Sequence, residues 1–319
     1  MTLVIKPFSL DDSPLWDAFC HVAVNATLLH SRRFLSYHGD RFEDLSLLLY
    51  DKDQLRAILP AARAPNDATL VVSHPGATYG GFVHAGQLAG ENAIDAFHAV
   101  AAHYRSVGCD RLLYKPVPHI YAQSPAADDL YALFRLGAER QRCDLSSTID
   151  LSFRRPVSSR RKRSLEKARR VVSVSADIAK LDALWDVVED NLARKHKTRP
   201  VHSRTEIKDL ATRFPDEIKL RTAHIGDKIV AGTLLFASRQ VWHAQYIASS
   251  EDGYAVSALD AVFDTSIKDA KSAGVRYFDF GSSNEDHGRV LNAGLYRFKT
   301  EFGGGGVAHE FYMVQLDSL

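Results

Sequence analysis

The chain is poor in cysteine and carries no apolar stretch of membrane-spanning length, and each shortage narrows what it can be. Its 319 residues hold three cysteines, Cys20, Cys109 and Cys143, scattered and odd in number. That usage fits reduced thiols rather than a disulfide framework. The apolar run Ile229 to Ala237 falls far below the roughly 20 residues of a spanning helix. Lys6, Asp11 and Asp12 stand where a signal peptide would need an apolar segment. The expectation is a cytoplasmic protein without membrane insertion. Zinc-ligand spacing, a phosphate-loop lysine motif, a dinucleotide fingerprint and a cysteine nucleophile are all missing. His74, His84, His98 and His103 form no metal-like group, so no metal is expected. Forty Lys and Arg against 39 Asp and Glu give no overall excess to hold DNA.

What the chain does have is repetition. Leu47 to Tyr50 runs through Asp51-Lys52-Asp53-Gln54 into Leu55 to Leu59, then to a turn at Ala77-Thr78-Tyr79-Gly80-Gly81. An amphipathic stretch, Gly108 and the strand-like Arg111 to Tyr114 follow. In the second half Leu220 to His224 runs through Ile225-Gly226-Asp227-Lys228 into Ile229 to Phe236, and then reaches Gln245-Tyr246-Ile247. Another amphipathic stretch, Gly274 and a strand through Tyr277 complete the second copy. A period this long indicates duplicated domains, since solenoid units span about 20 to 50 residues. At 45% hydrophobic and 25% charged residues the chain can bury two cores. We divide it at 1–150 and 151–319.

Local signals place the elements. Ser13, Trp16, Phe19 and Val22 mark a first helix, and Asn92 to Val107 puts Ile94, Phe97, Ala101 and Tyr104 on one face before Gly108 ends it. The strand Arg111 to Tyr114 stops at Lys115-Pro116-Val117-Pro118, because proline cannot continue a central ladder. A helix is expected over Asp128 to Leu136. In the second half, Asp177 can cap a helix carrying Leu181, Leu184, Trp185 and Val188. Ser257 to Ala273 reads as a long helix ended by Gly274, Val275 to Phe280 as a strand, and Ala308 to Leu316 as the last strand after the Gly303 to Gly306 turn.

Residues 153–172 are locally basic: Arg154, Arg155, Arg160, Arg161, Lys162, Arg163, Lys167, Arg169 and Arg170 face only Glu166. Such a run can serve nucleic acid, anionic lipid or a pyrophosphate. It is also a helix, capped by Ser158 or Ser159, with Leu165, Ala168 and Val172 as its apolar stripe and a solvated basic remainder. Interleaved aromatics for base stacking are absent from it.

The order of hairpin, strand, helix and strand resembles the core of the GNAT acyltransferases, and the tandem arrangement resembles FemABX-like proteins. The likeness spans most of the chain. It is carried by Ser36-Tyr37-His38-Gly39-Asp40-Arg41-Phe42-Glu43-Asp44, Ser73-His74-Pro75-Gly76-Ala77-Thr78-Tyr79-Gly80-Gly81, Tyr114-Lys115-Pro116-Val117-Pro118, Tyr277-Phe278-Asp279-Phe280-Gly281 and Phe298-Lys299-Thr300-Glu301-Phe302-Gly303. These strings are similar to GNAT/FemAB-type proteins of capsule and O-antigen assembly. The resemblance implies an α/β (α+β) fold of two tandem GNAT-like domains with mixed, largely antiparallel sheets.

In a GNAT core two neighbouring strands splay to admit the acyl donor, and the following helix offers backbone N–H groups to a pyrophosphate. The resemblance therefore implies acyl-CoA as co-substrate, held around Ser249, Ser250, Gly253, Ala255 and Ser257. This turn departs from the glycine-rich loop, because Glu251 and Asp252 would repel phosphate. The acceptor amine must lose a proton and the developing oxyanion must be stabilised. Asp279 at a strand end is the candidate base, equally able to serve as a turn or capping carboxylate, and Glu285 and His287 follow in a polar loop. The Phe298-Lys299 pair resembles the Phe-Lys pair near the C-terminus of FemABX proteins, which implies charge stabilisation by Lys299. Tyr79, Lys115 and Tyr121 are candidates for the acceptor side, and Arg32, Arg33 and Arg161 for a nucleotide diphosphate, which a guanidinium fork suits. His243 and Gln245, read as alternating strand residues on one face, and Tyr246 complete the substrate-binding candidates. The implied reaction transfers an acyl group from acyl-CoA to the amine of a nucleotide-linked amino sugar. A FemABX-like aminoacyl-tRNA-dependent transfer to a peptidoglycan precursor is the first alternative, and a non-catalytic scaffold for an acidic partner the second.

Overall fold

The structure, a computed structural model, describes residues 3–319. It divides into two compact units: residues 1–144, 284–290 and 308–319 form the first, and 145–283 and 291–307 the second. The C-terminal strand Gly305–Gln315 runs beside Arg111–Tyr114, with Tyr312 opposite Tyr114 and Gln315 opposite Arg111.

Each unit contains a hairpin and one parallel step, which in the first unit lie in two different sheets. In the first unit Leu3–Pro7, Leu47–Asp51, Gln54–Leu59 and Val83–His84 pair antiparallel. Asp67–Val72 then pairs parallel with Arg111–Tyr114, and the helix Glu91–Ser106 makes the crossover. That helix buries Ala93, Ala96, Phe97, Val100, Ala101 and Tyr104. Gly108 adopts φ +81°, which permits the reversal after the helix.

In the second unit the sheet order is Glu139–Asp150, Tyr277–Ser282, Val241–Ser249, Lys228–Ala237, Ile218–Ile225 and Ser173–Ser175. All neighbours are antiparallel except Val241–Ser249 with Tyr277–Ser282, joined by the helix Ala258–Ser272. Ala258, Leu259, Val262, Phe263, Ile267 and Ala270 of that helix pack on Ala231, Leu235, Trp242, Ala244, Phe278 and Phe280. The fold class read from the sequence is therefore present: mixed α/β, in tandem, with the same strand, helix and parallel-strand step in both copies.

Two of the longer helices without a sequence expectation bear on the site. Ser203 caps Arg204–Arg213, and Glu206 closes a capping box with it; Asn292 caps Ala293–Thr300, the helix that carries Lys299. The basic segment forms the helix Ser159–Arg169, capped by Ser158, whose hydroxyl accepts from the Arg161 N–H. Among the described residues, no helix is long and apolar enough to cross a membrane.

Candidate active site

The second unit's parallel pair is short. Val241, Trp242 and His243 face Tyr277, Phe278 and Asp279, and there the ladder ends. Val241–Ser249 continues against Lys228–Ala237, while Tyr277–Ser282 continues against Glu139–Asp150. Both strands bend where they part. Gln245 is a bulge residue, since Leu234 faces Tyr246 and Leu235 faces Ala244; the other strand shifts register between Asp279 and Ser282, with Gly281 at φ +75°. The result is a wedge whose vertex is the His243–Asp279 pair.

Asp279 is wholly buried and its carboxylate accepts three hydrogen bonds. The Ser146 hydroxyl (2.5 Å) and the Thr148 hydroxyl (2.7 Å) donate to Oδ1, and His243 Nδ1 (2.6 Å) donates to Oδ2. Three donors suit an ionised acceptor in a dry site. With its proton held on Nδ1, the His243 ring leaves Nε2 as a lone-pair acceptor. The imidazole keeps 15% of its side-chain surface, Asp279 none. The ring lies over Gly281: a Cβ built there would stand 3.4 Å from His243 Cε1 and 4.0 Å from Nε2.

Lys299 reaches the same turn. Its Nζ donates to the carbonyls of Gly281 (3.0 Å) and Ser282 (2.6 Å). An ammonium has three N–H groups, so one is left over. Burial lowers the Lys299 pKa to about 8, with the Asp279 charge opposing the shift. Phe298 on the same helix and Phe302 just beyond its end pack around Phe263, which fixes the helix and so the lysine.

Asp279, Lys299 and His243, each a candidate in the sequence, are brought together at one turn. Asp279 is too enclosed to meet an acceptor amine; the group that meets solvent is His243. Gln245, expected on one face with His243, sits at the bulge where the alternation breaks. The bulge brings His243 and Tyr246 opposite Phe236 and Leu234, two residues apart, so His243 shares its face with Tyr246. Tyr246 donates to His202 Nδ1 (2.6 Å) and accepts from the His202 N–H (3.1 Å), edge-on to Trp185 at 4.8 Å. Burial raises its pKa to about 12. Sequence reasoning missed His202, Ser146 and Thr148. The alternation Ser146-x-Thr148 on a strand was the available signal for the last two; nothing local marks His202.

Other candidates are committed elsewhere. Arg161 is an internal ion-pair residue: Nη1 lies 3.0 Å from both Asp260 oxygens, and Nε 3.1 Å from Glu301 Oε2, close enough for attraction though not aligned as a hydrogen bond. It also stacks on Phe298. A guanidinium so neutralised does not present its fork to a diphosphate. Arg32 is buried over Phe8 and Trp16 and bonded to Asp44; Arg33 is exposed. Lys115, Tyr79 and Tyr121 are buried in the first unit rather than set on an open face. Lys115 Nζ donates to the carbonyls of His74 (2.7 Å) and Ala77, and burial with the Arg142 charge lowers its pKa to about 7. Tyr79 donates to Thr27 and stacks on Tyr121 at 4.6 Å. There the segment after Asp67–Val72 stays against the neighbouring strand: Ser73 N–H donates to Leu113, Lys115 N–H to Ser73 Oγ, and Gly80 N–H to Lys115. The first unit's counterpart of the wedge is thereby filled by its own chain. Glu285 and His287 are exposed and belong to the first unit's segment 284–290.

The expected donor turn is a one-turn helix, Glu251–Ala255. Ser250 caps it at Gly253, Ser249 is buried with its hydroxyl on backbone carbonyls, and the Ala255 carbonyl receives Lys167. A Cβ on Gly253 would stand 2.3 Å from the Val230 oxygen, so this glycine serves close strand packing. Ser257, at φ +60°, leads into Ala258–Ser272 without a side-chain cap. Groups of three or more metal-ligating side chains do not occur among the described residues.

Residues 152–289 match the family model of the acetyltransferase (GNAT) domain, which contains the wedge, His243 and Asp279. The second unit carries an acetyltransferase (GNAT) domain, and the chain is an acyltransferase. Among solved structures it is similar over its length to a FemX (TM-score 0.72, 13% identity, 97% of this chain and 96% of that one). It is also similar to L-PGS from Bacillus licheniformis (TM-score 0.60, 13% identity, 96% and 92%). A tandem GNAT protein from the clavulanic acid biosynthesis pathway matches with TM-score 0.53, 10% identity and 98% coverage of both chains. These identities establish a shared fold. Comparison with curated protein sequences returns no match.

Proposed function

We propose that the protein is an N-acyltransferase in which His243 is the base, Asp279 its positioning carboxylate and Lys299 the cation at the reacting carbonyl. The observation that carries this reading is the hydrogen-bonded His243–Asp279 pair at the vertex of a splayed parallel pair. An acyl donor lying along the unpaired edge of Ala244–Ser249 would bring its carbonyl to that vertex. The acceptor amine attacks the carbonyl carbon, His243 Nε2 takes the amine proton, and the free N–H of Lys299 balances charge on the oxyanion and then on the departing thiolate. Collapse of the tetrahedral intermediate breaks the carbon–sulfur bond, and His243 returns its proton to the thiolate.

We take the donor to be acyl-CoA and the acceptor the amine of a nucleotide-linked amino sugar of surface polysaccharide synthesis. Arg161 is paired inside the fold with Asp260 and Glu301 and is not the diphosphate ligand in this reading. The pattern of the Glu251–Ala255 turn favours a second reading: its polar groups are spent internally and two acids stand at its start, which suits a donor without a pyrophosphate there, such as an aminoacyl-tRNA. Incubation with acetyl-CoA and a panel of nucleotide amino sugars, followed by thiol release and mass spectrometry, tests the first reading. Product formed only with charged tRNA would replace it with the second. A protein that turns over neither donor would count against both.

A further inference from the structure

The helix Ser159–Arg169 and the segment before it form a second feature of this unit that the reaction does not use. Arg161 and Ala168 point inward. Arg163, Lys167 and Arg170, at i, i+4 and i+7, run along the opposite side, with Arg160 and Lys162 flanking them. Four cations of the segment besides Arg161 are engaged: Lys167 with the Ala255 carbonyl, Arg169 with Asp264, Arg154 with the Phe302 carbonyl and Arg155 with the Gly304 carbonyl. Arg155, Arg160, Lys162, Arg163 and Arg170 are exposed, and Glu166 is the one acid between residues 153 and 170. Beside the two arginines at its start stands Phe153, 86% exposed, the most exposed large apolar side chain among the described residues. Leu151, two residues earlier, is in the core, so the chain emerges and then holds a phenyl ring in water.

We propose that this face docks on an anionic membrane surface, with Phe153 at headgroup depth and Arg160, Lys162, Arg163 and Arg170 against lipid phosphates. The combination is what selects this partner. One buried ring gives marginal attachment, and a few cations give marginal attachment, but the two together hold a peripheral protein. A single-stranded polynucleotide would need successive aromatics along a basic groove, whereas this helix offers a ridge with one ring at its end. The inference stands on exposure and charge in this segment and does not depend on which acceptor the enzyme uses.

Sedimentation with vesicles of phosphatidylcholine alone, or of phosphatidylcholine mixed with phosphatidylglycerol, tests it on the full chain. Binding is expected to the mixed vesicles alone and to weaken as salt rises. Each cation near an anionic surface strengthens partitioning roughly fivefold, so Arg160→Gln with Lys162→Gln and Arg163→Gln should lower it on the order of 100-fold. Phe153→Ser should lower it roughly tenfold. All four side chains are exposed, so unchanged melting temperatures are expected and would separate lost docking from lost folding. Absence of binding to either vesicle, equal binding to both, or binding indifferent to these variants would overturn the proposal. So would tight binding of transfer RNA by a protein that ignores the mixed vesicles.

Discussion

Replacing Asp279 with Asn removes one charge and almost no volume, and it should disable the enzyme through a neighbour. The carboxylate now accepts from Ser146, Thr148 and His243 Nδ1. An amide at that place has one oxygen for acceptance and an NH2 that must donate. If the two hydroxyls keep the oxygen, the NH2 faces His243 Nδ1, which must become the acceptor; the imidazole proton then moves to Nε2. A base with its lone pair turned away cannot take the amine proton. General-base catalysis is worth about 100- to 10,000-fold, and loss of the correct tautomer approaches the upper end. We expect kcat/KM for acetyl transfer to fall about 1,000- to 10,000-fold in Asp279→Asn, with KM for the donor little changed. Continuous thiol release at saturating donor measures this, and a melting curve checks the fold. His243→Ala should fall to a similar level, and the double variant no further, because the two act as one unit. A loss below about tenfold in both single variants would refute the assignment of His243 as base.

Five further outcomes follow from the same geometry. Lys299 should be charged to act, so kcat/KM should decline as pH rises through about 8, and Lys299→Arg should carry that limb to higher pH. Because the buried lysine gives up its proton near 8 while the unfolded chain holds it to 10.5, stability should rise with pH across that window; Lys299→Met should remove the rise in urea titrations. Asp260→Ala leaves the buried Arg161 guanidinium with Glu301 alone and should cost about 3 kcal/mol by denaturant unfolding, without a specific effect on nucleotide-sugar affinity. Gly253→Ala should weaken the donor's binding and lower the melting temperature together, since its Cβ would meet the Val230 carbonyl at 2.3 Å. Calorimetry should find one acyl-CoA per chain, because Gly80 and Ser73 already bond to Lys115 where the first unit's wedge would open; two equal sites would contradict that.

The sequence by itself determined the duplication and most of the element types, because these rest on local physics. The 3.6-residue spacing of Phe97, Ala101 and Tyr104, and the glycines at 108 and 274, fix helices and their ends whatever surrounds them. The Phe298-Lys299 string also announced its lysine. Tertiary structure decided the rest. That His243 and Tyr246 share a face follows from one extra residue in a strand, visible only once the ladder to Lys228–Ala237 exists. That Asp279 is enclosed by donors rests on hydroxyls 131 and 133 residues away, which no spacing rule connects to it. Arg161 illustrates the same limit: a basic run tells how much charge is present, but burial against Asp260 and Phe298 decides which cation is spent inside the fold and which is left for a partner.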